Sequence, residues 1–157
     1  GEISTISDTF SDVYTKDARF LLTINAWYRF GKVNRVIFCI RHPYEISKSL
    51  NKREGIPISL AYKQWFTHVY RFLSHIKTSE LFFVDYNMLL NKETSKNEMR
   101  NIYKFINLPF DEDKAEKIAN ETIDFSMRHS VGKDAYVPKN ILNFYKKLRK
   151  LHSKQNK

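Results

Sequence analysis

With Cys39 as its single cysteine, the chain can form no disulfide within itself, and a structural zinc site of the Cys-rich kind is excluded. Only four glycines and four prolines occur in 157 residues, which argues against a disordered or low-complexity chain. No apolar run approaches the length of a membrane span and no signal peptide is visible, so the expectation is a cytoplasmic protein. Acidic residues are scarce, 17 against 27 Lys and Arg, for a formal charge of +10. Aromatic residues, by contrast, are plentiful: twelve Phe, nine Tyr and two Trp. That supply is enough for one domain, residues 1–157, with a core of its own.

The positive balance favours an anionic partner: a nucleotide, a nucleic acid, an acidic glycan or a membrane surface. The competing reading is ordinary solvated lysine, concentrated in a basic tail at 145–157 that carries Lys146, Lys147, Arg149, Lys150, Lys154 and Lys157.

Helical spacing of Phe20, Leu21, Ile24, Trp27 and Tyr28 predicts a helix over 19–30, stopped by Gly31. An apolar run then predicts a strand over 35–40, with Cys39 in it as a buried small hydrophobe rather than a nucleophile. Pro43 suits the first turn of the next helix, and Gly55-Ile56-Pro57 ends that helix. Ser59 is placed to cap a longer helix to Ile76, with Trp65, Val69, Phe72, Leu73 and Ile76 on its buried face. A second strand is expected at 81–84, running into Asp85-Tyr86. Helices follow at 88–90, 94–106, 111–120 and 138–152. The third-last stretch, 94–106, has Met99, Ile102, Tyr103 and Ile106 as its apolar stripe. Asp12 to Thr15 reads as a short strand and 122–137 as mostly loop. Strands alternating with helices imply a parallel α/β sheet, here of two or three strands.

Arg41 stands where the first strand ends in Arg41-His42-Pro43, the position from which an open α/β sheet presents residues to a ligand crevice. Ser49 comes eight residues later, about two helical turns on. A guanidinium and a hydroxyl so placed could share one anion, and phosphate suits both. The alternative for Arg41 is an ion pair with Glu45. His42 reads as a turn residue, Trp27 and Trp65 as core. His68 and His75 have no third ligand nearby, so no metal is expected.

Arg41-x-Pro43 followed by Ser49-Leu50, after a buried strand, resembles the 3′-phosphate-binding segment of sulfotransferases that use 3′-phosphoadenosine-5′-phosphosulfate (PAPS). Lys16-Asp17-Ala18-Arg19 is similar to the Lys-Asp-Pro-Arg motif of bacterial members of that family. Arg53-Glu54-Gly55-Ile56-Pro57 with Trp65, Phe83 to Leu90, Phe105-Ile106-Asn107-Leu108-Pro109, and Ile123-Asp124 through Met127-Arg128-His129 resemble later family segments in the same order. The resemblance covers about residues 13–145. It implies a P-loop-like three-layer α/β fold, an incomplete parallel sheet flanked by helices, with a helix-rich C-terminal half. It also implies sulfuryl transfer from PAPS, leaving 3′,5′-ADP, to a hydroxyl or amine acceptor such as a carbohydrate, with no obligatory metal.

On the same resemblance, Arg41 and Ser49 hold the nucleotide's 3′-phosphate, and Arg128, His129 and Lys133 lie in a basic late loop that folds over the nucleotide. Lys16 is the charge stabiliser at the sulfuryl group, and Asp17 the candidate base. Family members carry a Gly-rich loop for the 5′-phosphosulfate; no Gly-rich loop precedes Lys16 here. Ala18 also replaces the family proline. The expectation is therefore an N-terminally truncated member, inactive alone, keeping the 3′-phosphate half of the site. Its exposed sheet edge would need a cover, such as a second copy of the chain. Two rivals stand beside it: a non-catalytic binding or assembly module of the same fold, and a basic nucleic-acid-binding domain, for which no motif is present.

Overall fold

The computed structural model describes residues 15–30, 33–123 and 135–156. Among them are seven α-helices and two strands: α1 (Phe20–Phe30), β1 (Val36–Ile40), α2 (Pro43–Glu54), α3 (Ile58–Ser74), β2 (Leu81–Asp85), α4 (Tyr86–Leu89), α5 (Ser95–Phe105), α6 (Glu112–Thr122) and α7 (Lys139–Gln155). A 3-10 turn at Thr78–Glu80 leads into β2. The strands pair in parallel, from Val36 opposite Leu81 to Ile40 opposite Asp85. The protein is thus α/β with a small parallel sheet, as the alternation of strands and helices requires.

Alternation along the strands sorts the two faces. Phe38 and Phe83, opposite each other, meet edge to face at 6.0 Å, and Phe38 also touches Phe72 of α3 at 5.6 Å. This side is the main core, built by β1, β2, α1, α3 and α7 around Trp65, Val69, Tyr145 and Leu148. On the other face Phe82 stacks on Phe105 of α5 at 5.1 Å. All five β2 residues are buried. In β1, by contrast, Ile37 is 43 % exposed, and so is the Cys39 side chain open to solvent. The expectation of a buried Cys39 is corrected: it faces away from the main core, on the side where α5 covers β2. Surrounding protein and the Asp85 carboxylate nevertheless raise its thiol to about 11, so it stays protonated near neutrality.

Turn chemistry sets the helix ends. His42 caps α2, its Nδ1 accepting from Tyr44 N at 3.3 Å, and Pro43 takes the first helical turn. Gly55 ends α2 at φ 69°, with its N–H on Asn51 O. No atom would meet an added Cβ there, so backbone strain alone decides a substitution. Gly55→Ala should cost about 1 kcal/mol in chemical denaturation. At the end of α5, Asn107 takes φ 56° and Leu108 N reaches Tyr103 O at 3.0 Å. Asn is the residue after Gly that best tolerates this conformation. Pro57, not Ser59, begins α3, its carbonyl accepting from Leu60 and Ala61. Ser59 is an exposed residue inside the first turn.

Two further expectations change. In α5 the stripe Met99, Ile102, Tyr103 and Ile106 is only half-buried, and the fully buried residues are Ser95 and Glu98. The helix expected at 138–152 runs on to Gln155 as α7, so most of the basic tail is helical, with Tyr145, Leu148 and His152 buried. Its end closes the outer edge of β2. Gln155 Nε2 donates to Leu81 O and its Oε1 accepts from Phe83 N, both at 2.9 Å. Glu98 Oε2 accepts from Asp85 N at 3.3 Å. Side chains thus satisfy backbone groups that a third strand would otherwise pair. Among the described residues no strand pairs with the other edge of β1.

Candidate functional site

The carboxyl ends of β1 and β2 deliver Arg41 and Asp85 side by side, since Ile40 and Asp85 are in register. Parallel α/β sheets bind ligands at this end because the strand-to-helix turns open there. The Arg41 guanidinium is fixed on two sides. Its Nε donates to Glu45 Oε2 at 3.0 Å, one helical turn on, and its carbon lies 4.5 Å from the centre of the Tyr86 ring. Among the described residues neither terminal nitrogen of Arg41 has a hydrogen-bond partner, and its side chain is 28 % exposed. A buried carboxylate behind and an aromatic face beside leave the guanidinium fork in one orientation, open at its end.

The Arg41–Glu45 ion pair therefore exists, and it aligns the guanidinium without consuming its fork. Glu45 is buried, and its Oε1 has no hydrogen-bond partner among the described residues. Ser49 lies one turn beyond Glu45 on the same face of α2, exposed to solvent. Ser47, by contrast, is completely buried.

Three more side chains complete this end. Asp85 caps α4 through Oδ1, which accepts from Asn87 N at 2.9 Å, and its Oδ2 lies 3.0 Å from Arg149 Nε. Tyr145 sets its ring edge to face against His42 at 4.9 Å. Burial lowers the affinity of His42 for a proton, Glu45 opposes this and Arg149 adds to it. A neutral imidazole is consistent with Nδ1 accepting a backbone N–H. Burial raises the Tyr145 hydroxyl, against the pull of Arg149.

Beneath these lies a buried pair that anchors α7. His152 Nε2 sits 2.9 and 3.0 Å from the two oxygens of Glu98, and both residues are almost fully enclosed. Glu98 also receives the Asp85 amide, so one carboxylate joins α5, β2 and α7 at the carboxyl end of the sheet.

Lys16 and Asp17 stand before α1. The other end of α1 is tied to the amino end of β2, where Tyr28 donates to Glu80 at 2.7 Å. No contact joins Lys16 or Asp17 to Arg41 among the described residues. Asp17 is held by Arg19, whose backbone N reaches Oδ1 at 2.8 Å and whose Nη2 reaches Oδ2 at 2.5 Å. The Arg19 side chain and amide lower the Asp17 carboxyl to about 2, which makes it a weak base. Arg19→Ala should raise the Asp17 midpoint only part of the way to the usual carboxylate range in a carboxyl-carbon NMR titration, because the backbone amide of residue 19 still donates to it. Arg128, His129 and Lys133 lie outside the described residues, as do Asp12 to Tyr14 of the short strand expected at Asp12 to Thr15.

Sequence reasoning missed the contributions of Tyr145, Arg149, Glu98 and His152 to this end of the sheet. Their partners are far off in sequence, and no local spacing signals the pairing. Arg149, four residues after Tyr145, shares a helix face with it, which is the one available hint.

A small parallel sheet flanked by helices, with an oriented guanidinium at its carboxyl end, defines an α/β domain. The sulfotransferase domain family model matches residues 40–154, well over half of the chain, and the chain belongs to that family. The match begins at Ile40 and so takes in Arg41, Glu45, Ser49, Asp85 and Arg149, whereas Lys16 and Asp17 precede it. Searches of curated proteins and of solved structures gave no significant match. Among the described residues no helix is long and apolar enough to cross a membrane.

Proposed function

We propose that this chain binds the 3′-phosphate of PAPS and of its product 3′,5′-ADP, with Arg41 as the clamp and Ser49 as a hydroxyl donor. The orientation of Arg41 carries the reading. Its Nε is held by buried Glu45 and its face by Tyr86, so that its fork addresses the crevice. A planar fork suits two oxygens of a phosphate better than the point charge of a lysine would. Tyr86 begins α4 directly after Asp85, so the ring that positions Arg41 is itself fixed by the Asp85 cap.

The intact protein, on this reading, transfers a sulfuryl group to a hydroxyl or amine acceptor, for which a carbohydrate is one class. Bound PAPS supplies an activated sulfuryl group on a phosphate leaving group. What this chain's own residues contribute is binding and orientation at Arg41 and Ser49. Lys16 would steady negative charge at the leaving oxygen. Asp17 would take the acceptor proton only if Arg19 released it. Arg128, His129 and Lys133 would close over the nucleotide from the late loop.

A non-catalytic module of the same fold is the second reading. The Arg19 clamp on Asp17 favours it. Purified chain incubated with radiolabelled PAPS and a panel of hydroxyl and amine acceptors separates the two. The expected result is nucleotide binding without turnover by this chain. Measurable transfer would show that the second reading is wrong.

A further inference from the structure

Two arginines at the carboxyl end of the sheet are built alike. Arg41 follows β1, and Arg149 comes from α7, more than a hundred residues later. Each has its Nε 3.0 Å from a carboxylate that is itself buried: Glu45 for Arg41, Asp85 for Arg149. Each keeps part of its side chain in solvent, 28 % and 53 % respectively. The Arg149 contact is an ion pair without hydrogen-bond alignment, since Asp85 Oδ2 has no hydrogen-bond partner among the described residues.

Their anchors are neighbours. Arg41 lies over Tyr86, the residue after Asp85, and Asp85 is in register with Ile40, the residue before Arg41. The Arg149 guanidinium stands against Asp85 and the Arg41 guanidinium lies over the next residue, Tyr86, so the two share one end of the sheet. Tyr145 bridges them: its ring packs on His42, and its hydroxyl feels the charges of Arg149, Asp85 and Glu45. The aligned Nε contact fixes Arg41 in direction, whereas Arg149 is held by charge against Asp85 and by its contact with the Tyr145 hydroxyl, with 53 % of its side chain in solvent. Two guanidiniums at one sheet end suit a tetrahedral oxyanion.

We propose that Arg149 is a second anion-binding residue of this site, and that Arg41 and Arg149 take one phosphate-type oxyanion between them. The inference rests on the reading of Arg41 as the phosphate clamp and adds a contact from the C-terminal helix. Neutralising Asp85 is the other task Arg149 performs, and the two tasks are separable. Arg149→Lys keeps a cation beside Asp85 but removes the fork.

The test follows the side-chain Nε–Hε signals of Arg41 and Arg149 in proton–nitrogen NMR spectra, assigned by the two Arg→Lys variants. Inorganic phosphate is titrated first, then 3′,5′-ADP, then 5′-ADP. Both signals should move with one common affinity for phosphate and for 3′,5′-ADP. Arg149→Lys should weaken that affinity about tenfold, the value of one charge-assisted hydrogen bond, with an unchanged thermal midpoint. Movement of Arg41 alone, with Arg149→Lys binding as wild type, would overturn the inference and leave the Arg41 reading standing. If neither signal moves, both fail. If both move with phosphate but 3′,5′-ADP and 5′-ADP bind equally, the shared anion site stands and the 3′-phosphate reading fails. Should Arg149→Lys unfold, Asp85→Asn with Arg149→Gln removes both charges and keeps the α4 cap, and wild-type affinity in that pair would equally overturn the inference.

Discussion

Arg41→Ala abolishes the preference for 3′,5′-ADP over 5′-ADP, at a cost of about 2–5 kcal/mol in binding free energy. The size follows from the surroundings of Arg41. Its guanidinium is partly enclosed, oriented by Glu45 and stacked on Tyr86, so little side-chain freedom remains to be lost on binding. Removing it also leaves the buried Glu45 carboxylate without its cation, which works against a nearby phosphate. Binding of 5′-ADP should fall much less, since the phosphate that Arg41 addresses is absent from that ligand. Calorimetric titration of wild type and variant with both nucleotides checks this. Equal losses for both ligands would place Arg41 at another part of the nucleotide.

Glu98→Ala lowers stability by about 2–4 kcal/mol, the usual consequence of leaving buried hydrogen-bonding groups without a partner. Two groups lose Glu98 together, the Asp85 amide and the His152 ring, which keeps only Asn156 at 2.8 Å, and the tie between α5 and α7 goes with them. His152→Ala should cost a similar amount by stranding the Glu98 carboxylate in the interior. The double variant should then be less destabilised than the sum of the two, because the interaction is lost once. Urea unfolding of the three variants measures this coupling. Additive losses would show that Glu98 and His152 act independently, and that the pairing of α5 with α7 rests on apolar packing alone.

These two effects belong to features of very different legibility. Arg41 stands out because an apolar run gives way at once to Arg-His-Pro and a helical pattern, so strand end, charge and helix start are all local signals. The same holds for Gly55, which ends α2 as expected, whereas Pro57 reads only as a helix stop and the start of α3 falls to Ser59. Glu98 carried no such signal. It is the most enclosed residue of a polar helix, and its partner His152 lies 54 residues away. Burial of a charge depends on what the chain brings opposite it, which spacing within α5 cannot reveal.

Cys39 and the C-terminal segment fail for a related reason. An alternating or continuous apolar strand says which residues prefer burial, but not whether a helix covers both faces. Here α5 covers β2 and leaves Ile37 and Cys39 of β1 open. The lysines of 146–154 suggested a solvated tail, and their side chains are indeed exposed. The residues between them, Tyr145, Leu148 and His152, form a stripe at helical spacing that docks on β2. The helix expected at 138–152 already holds these residues, and what its spacing cannot show is the surface on which they dock. The Gln155 amide that closes the edge of β2 is a single side chain performing a backbone's task, for which sequence offers no pattern.

The central claim is that this sulfotransferase-family chain reads a nucleotide by its 3′-phosphate at the carboxyl end of β1. Competition calorimetry of the purified chain with 3′,5′-ADP and 5′-ADP, at one fixed ionic strength, tests it most directly. Tighter binding of 3′,5′-ADP, with loss of that difference in Arg41→Ala, is the expected result. Equal affinity for the two nucleotides in the wild-type chain, or a preference that survives Arg41→Ala, would contradict it.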